Sequence, residues 1–360
     1  MMRRAAIRTV NTAVGRLQTR PLSSNSHPRH LMSISDLSST EFTKLVLNAS
    51  THKSAIKTAI AAGQTPKTLN SSLAGQSVAL LFSKRSTRTR VSTEAAVALM
   101  GGHPMFLGKD DIQLGVNESL RDTSTIISSM TSCMVARVGA HSEITGLAEH
   151  SSVPVINALS EDFHPLQTIA DFQTIHEALP ERTATATSLG LEGLKVAWVG
   201  DCNNVFIDLA TACVKMGIDI TIASPTGYGI PDRLRPIILS SPGPDPVPGK
   251  LLETTIPEEA VKDADIIVTD TWISMGQEAE AKIRLKAFAG YQVTNELAKR
   301  GGAKPDWKFL HCLPRHQEEV NDEVFYGPRS LVFQEGENRL WAALATLEAF
   351  VINKGKIVEM

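Results

Sequence analysis

The chain has 360 residues, 42% of them hydrophobic, and a formal net charge of −2. That length predicts two domains. The near-neutral charge excludes a general polyanion binder, so no nucleic acid is expected as partner, and no apolar run approaches the roughly eighteen residues of a membrane helix.

The first thirty residues hold Arg3, Arg4, Arg8, Arg16, Arg20 and Arg29, and the first acid is Asp36. An Arg-rich, Ser/Thr-containing, acid-free leader has the composition of a mitochondrial transit segment, expected over 1–28; a plain basic tail is the alternative. From about residue 35 the chain reads as globular, and "SISDLSSTEFTKLVLNAS" supplies Ser and Asp caps before an apolar helical stripe. "SVALLF" (77–82) predicts a buried strand. "SKRSTRTR" (83–90) follows, with the cations Lys84, Arg85, Arg88 and Arg90 between four hydroxyls. The next helix is expected to bury Val91, Ala95 and Leu99 and to stop at Gly101–Gly102. Strands are predicted around 133–139 and 153–159, with helices between them.

A linker is expected in "HPLQTIADFQTIHEALPERTATATSLG", helical in its first part. The second half predicts strands at 195–201, 218–224, 264–270 and 308–314, and "SSPGPDPVPG" (240–249) is a surface loop. The apolar "NRLWAALATLEAFVINKGKI" predicts a C-terminal helix that docks back on the first domain. Strands alternating with helices imply an α/β fold of two parallel-sheet domains, one over 29–178 plus the helix 338–360 and one over 179–337.

Four segments carry chemistry. A helix start exposes free backbone N–H groups and the positive end of the macrodipole. With Ser86, Thr87 and Thr89 as hydroxyl donors and Arg88 as a planar fork, "SKRSTRTR" fits one phosphate group; a solvated basic helix start is the plainer alternative. In "DFHPLQT", His164 and Gln167 stand three residues apart at a Pro-marked helix entrance, suited to a carbonyl oxygen and an amide NH2. Asp270 in "DTWISMG" and Cys312 in "HCLP" fall at carboxyl ends of predicted strands, where open α/β sheets bind ligands. "GDCNN" (200–204) lacks the G-x-G-x-x-G fingerprint, and the next strand ends without a ribose-binding acid, which argues against a dinucleotide. The four cysteines, Cys133, Cys202, Cys213 and Cys312, form no C-x-x-C pair or zinc-spaced cluster, so no metal is predicted.

"SKRSTRTR", "DFHPLQT", "DTWISMG" and "HCLPR" together resemble the signature set of the aspartate/ornithine carbamoyltransferase superfamily, over residues 31 to 352. "DTWISMG" and "HCLP" resemble its ornithine branch. The resemblance implies transfer of the carbamoyl group of carbamoyl phosphate to the δ-amine of L-ornithine, giving citrulline and phosphate in arginine biosynthesis or the urea cycle. It implies no cofactor, a homotrimer and, with the leader, the mitochondrial matrix. It implies that Ser86, Thr87, Arg88, Thr89, Arg137, His164, Gln167, Cys312, Leu313 and Arg339 contact carbamoyl phosphate. Asn204, Asp270, Ser274 and Met275 are implied to contact ornithine, and Cys312, Arg137, His164 and Asp270 are implied to be catalytic. The amine must be neutral to attack, although a free alkyl ammonium titrates near about 10.4. Cys312 as thiolate could take its proton, or Asp270 could act as an electrostatic anchor; the sequence leaves both open. The nearest rivals are a carbamoyltransferase for another amine and a catalytically silent protein of the same fold.

Overall fold

The computed structural model describes residues 27–112, 118–240, 247–273 and 278–359. Most of the predicted leader, the middle of the 240–249 loop, and Ser274 and Met275 lie outside the described residues. Arg29, the first residue after the expected leader, belongs to the fold: its guanidinium pairs with Glu41 at 2.5 Å and donates to the Gly355 carbonyl at 3.0 Å.

The first sheet contains β1 (Ser77–Phe82), β2 (His103–Gly108), β3 (Cys133–Arg137) and β4 (Val155–Leu159) in the order β2-β1-β3-β4. The second contains β5 (Lys195–Val199), β6 (Asp219–Ala223), β7 (Leu251–Thr254), β8 (Ile266–Val268) and β9 (Lys308–Leu310) in the order β7-β6-β5-β8-β9. Every pairing is parallel. The inner strands read as unbroken apolar runs because helices cover both of their faces. The segment at Leu31 bonds to β4 through Val155 and Asn157 and covers that edge.

Both expected sheets form, and two strands that the sequence reading missed complete them. β2 and β7 are edge strands, half-buried or exposed along most of their length. β2 carries Pro104, which an edge tolerates, and β7 is four residues following a Pro/Gly-rich loop. The helix after the basic cluster (Arg88–Leu99) does not bury the expected face. Val91 is exposed, and the inner face is Thr89, Ser92, Thr93, Ala96 and Val97. Polar residues point inward there because the helix start faces a polar cleft, while Leu99 of the expected face packs half-buried on the core. Gly101, at φ +75°, ends this helix one residue past its cap.

The helical part of the expected linker (Pro165–Ala178) is core. Leu166, Ile169, Phe172 and Ile175 are buried, and the helix packs against the C-terminal helix (Val332–Leu347), which also contacts Ser39–Ala61 and Arg88–Leu99. The C-terminal helix thus docks back on the elements of the first sheet and begins six residues before the expected 338. One apolar core continues across both sheets, from Leu80 and Ile156 to Trp198 and Ile220. The helix Asn204–Lys215 of the second half ties it to the first. Its Asp208 carboxylate accepts the Ile34 N–H at 2.8 Å and the His164 N–H at 2.7 Å, and Lys215 Nζ donates to the Ile34 and Leu37 carbonyls.

Candidate active site

The carboxyl ends of the strands of both sheets open on one cavity of about 680 Å³. Its wall includes every described residue of the predicted site: Ser86, Thr87, Arg88 and Thr89 after β1; Arg137 at the end of β3; His164 and Gln167 after β4; Asn204 after β5; Asp270 after β8; Cys312 and Leu313 after β9; and Arg339 from the C-terminal helix. Lys84 and Arg85, which the resemblance did not place among the substrate contacts, also line it. Arg90 points away, pairs with Glu94 at 2.9 Å and lies over the Phe106 ring.

Local chemistry explains the helix start. Thr87 caps Arg88–Leu99 without a side-chain bond, which leaves its hydroxyl free, and Ser86 Oγ accepts the Thr89 N–H at 3.2 Å. Arg137 and Arg339 are buried, and the Nε atom of each lacks a protein partner. Burial, together with the neighbouring Arg88 charge, pushes both guanidiniums down to about 10, so both remain charged at neutral pH. Three cations converging on one buried wall repel each other until an anion joins them.

His164 is held neutral. Burial lowers its pKa well below the usual value, and Arg339, Arg137 and Arg88 lower it further. Arg339 Nη1 stands 3.4 Å from His164 Nε2. A guanidinium only donates, so Nε2 accepts and the ring proton sits on Nδ1. Nδ1 is buried with no hydrogen-bond partner in the protein.

On the opposite wall, Asp270 Oδ2 accepts from Asn203 Nδ2 and Oδ1 accepts the Thr271 N–H, each at 2.7 Å. Asn203, not singled out in the sequence, also caps Asn204–Lys215 by accepting the Val205 and Phe206 N–H groups. Asn204 donates to the Ser160 carbonyl at 2.6 Å. Burial drives the Cys312 thiol well above its ordinary value, and the charges of Asp270 and Glu335 push the same way. Leu313 has φ +62° and a cis bond to Pro314. Asp270, His311 and Cys312 bring three possible ligand atoms within 4.8 Å of one another, the one such group among the described residues.

The sequence reading also missed Asp171 and Glu335. Gln167 donates to the first at 2.7 Å and to the second at 2.9 Å, and accepts from Arg339 at 2.5 Å. Their spacing was a usable signal: each stands four residues from a predicted site residue, Gln167 and Arg339.

Two family models match this chain. Residues 29–177 match the aspartate/ornithine carbamoyltransferase carbamoyl-P binding domain, and residues 192–350 match the Asp/Orn binding domain of the same family. The chain is 66% identical over 340 residues to a mitochondrial ornithine carbamoyltransferase of Emericella nidulans, covering 94% of each chain. It is 45% identical to the ornithine carbamoyltransferase of Saccharomyces cerevisiae, over 94% of this chain and 98% of that one. A crystal structure of the mitochondrial ornithine carbamoyltransferase of Coccidioides immitis superposes with a TM-score of 0.85 at 62% identity, covering 92% of this chain and 100% of that one. The Pyrococcus furiosus enzyme gives 0.78 at 38% identity, covering 91% and 97%. With both domain models matched in order and relatives aligned over nearly its whole length, the chain belongs to the aspartate/ornithine carbamoyltransferase family.

Proposed function

We propose that the protein is an ornithine carbamoyltransferase: the δ-amine of L-ornithine attacks the carbonyl carbon of carbamoyl phosphate, and citrulline and phosphate leave. The observation that carries this reading is the convergence of the phosphate-type helix start, the three arginines, His164 and Asp270 on one cavity. The substrate names follow the relatives, each called an ornithine carbamoyltransferase.

Arg88, Arg137 and Arg339, with the Ser86, Thr87 and Thr89 hydroxyls, hold the phosphate. Its charge relieves their mutual repulsion, so binding and local electrostatics favour each other. The His164 Nδ1–H, Arg137 and Thr89 face the carbonyl oxygen, where negative charge develops; one such donor typically contributes about 3–4 kcal/mol to the transition state. Gln167 Oε1 accepts from the carbamoyl NH2.

Asp270, held by Asn203, anchors the amine end of ornithine, with Asn204, Ser274 and Met275 completing that side. Cys312 stays a thiol and packs beside the amine with Leu313; of the two roles the sequence left open, the elevated thiol pKa favours Asp270 as the electrostatic anchor. Burial of the amine between the two walls lowers its pKa and favours the neutral nucleophile.

The domain division is 29–178 with the helix 338–360 for carbamoyl phosphate, and 179–337 for ornithine. Residues 1–28 act as a mitochondrial targeting leader to the matrix, which the Arg-rich composition and the relatives' names support. The assembly is a homotrimer.

Measuring carbamoylation of L-ornithine, L-aspartate, putrescine and N-acetylornithine side by side tests the reading. A strong preference for L-ornithine is expected, and equal or greater use of another amine overturns it.

A further inference from the structure

Gln167 lies in the first turn of Pro165–Ala178, almost fully buried. Asp171 follows one turn later on the same face, and Glu335 approaches from the first turn of the C-terminal helix. Gln167 Nε2 has two hydrogens, and both are used: one goes to Asp171 Oδ1 at 2.7 Å, the other to Glu335 Oε1 at 2.9 Å. Its Oε1 has two lone pairs. One accepts Arg339 Nη1 at 2.5 Å, and Gln167 itself lines the cavity. The flipped amide would set an oxygen against two carboxyls and an NH2 against a guanidinium. Three unfavourable contacts therefore exclude it.

We infer that Asp171 and Glu335 are positioning residues that lock the Gln167 amide with its oxygen toward the substrate, so that the site selects a carbamoyl –NH2 over an acyl –CH3. Burial raises both carboxyls; Asp171 raises Glu335 further, whereas Gln167, Glu335 and Arg339 hold Asp171 down. Glu335 Oε2 also accepts the His311 N–H at 2.9 Å. The same carboxyl therefore fixes the backbone next to Cys312, and the amide's orientation is coupled to the wall that carries the thiol. A methyl group offered to Gln167 Oε1 would leave a buried acceptor unpaired, and sites built to bond an N–H reject such analogues strongly.

The inference rests on the carbamoyl phosphate reading above. Its test is the affinity of the full-length protein for carbamoyl phosphate and for acetyl phosphate, read by calorimetry, so that the result does not depend on turnover. Wild type is expected to prefer carbamoyl phosphate by at least about tenfold. In Glu335→Gln and Asp171→Ala that preference should fall at least about fivefold, while inorganic phosphate affinity changes much less. Asp171→Asn reproduces an acceptor toward Gln167 and a donor toward Glu335, so it should keep more of the preference than Asp171→Ala. Gln167→Ala should abolish the preference, and adding Glu335→Gln to it should change nothing more. Equal weakening of both acyl phosphates, or discrimination surviving in Gln167→Ala, overturns the inference. If Glu335→Gln does not fold, the Asp171 pair decides alone. A wild type that binds neither acyl phosphate refutes the carbamoyl phosphate reading as well, whereas one that binds and turns over normally confines any failure to the positioning pair.

Discussion

Arg88 donates from Nη2 to the carbonyl oxygen of Leu313 at 2.5 Å, across the cleft between the first sheet and the segment after β9. One side chain thus faces the cavity and ties its two walls. Arg88→Ala should lower kcat/KM for carbamoyl phosphate by about 10²–10³-fold, through loss of a bidentate, charge-assisted contact. Arg88→Lys should recover little, because an ammonium cannot reproduce the fork. Steady-state kinetics with carbamoyl phosphate as the varied substrate provide the check; near-wild-type values would remove Arg88 from the phosphate site.

With His164 proposed as a neutral donor, its replacement by another neutral donor should be milder than its deletion. His164→Ala is expected to reduce kcat by about 10²-fold and His164→Asn by less. Because burial and three arginines hold its pKa far below the ordinary histidine value, the acid limb of the pH profile should stay in place in His164→Asn. A limb that shifts with this substitution would mean that His164 titrates in the working range.

Cys312 is expected to react slowly. Its pKa is raised, so the thiolate fraction near neutrality is very small and should grow tenfold with each pH unit up to and beyond pH 9. Alkylation by iodoacetamide, followed by peptide mass spectrometry from pH 7 to 10, should rise without a plateau below pH 9. Rapid modification at pH 7 would restore the thiolate as a candidate base. Turnover should leave no carbamoyl thioester on this residue.

Asp208 accepts two backbone N–H groups, those of Ile34 and His164. Asp208→Ala orphans both in a dry joint and should cost about 2–4 kcal/mol of stability, measurable by urea unfolding. Activity of the folded variant should also fall, because the backbone at His164 loses its strut.

The inner strands were legible because two covered faces require apolar runs, as in "SVALLF" and "KVAWV". β2 and β7 were not, since an edge demands less: Pro104 and the exposed Leu252 violate the pattern without harm. The site residues on strand ends and helix starts were readable as motifs because the chemistry fixes their types. Asn203 and Asp208 were not, and Asp171 and Glu335 offered only their four-residue spacing, because all four touch the site through other side chains or through backbone. A carboxylate in a helix reads as surface until the structure shows what it accepts. The polar inner face of Arg88–Leu99 has the same origin, since Thr89 is buried against Arg339, which donates to its hydroxyl at 3.2 Å.

The last long helix supplies Glu335 and Arg339 to elements made near the beginning of the chain. During synthesis from the N-terminus, Gln167 and Thr89 therefore emerge long before Glu335 and Arg339. For most of translation the helices Ser39–Ala61, Arg88–Leu99 and Pro165–Ala178 lack the last helix that packs against them. The protein becomes competent only when nearly all of it has been made, so a product truncated before that helix would carry the early motifs with the Gln167 amide held by Asp171 alone.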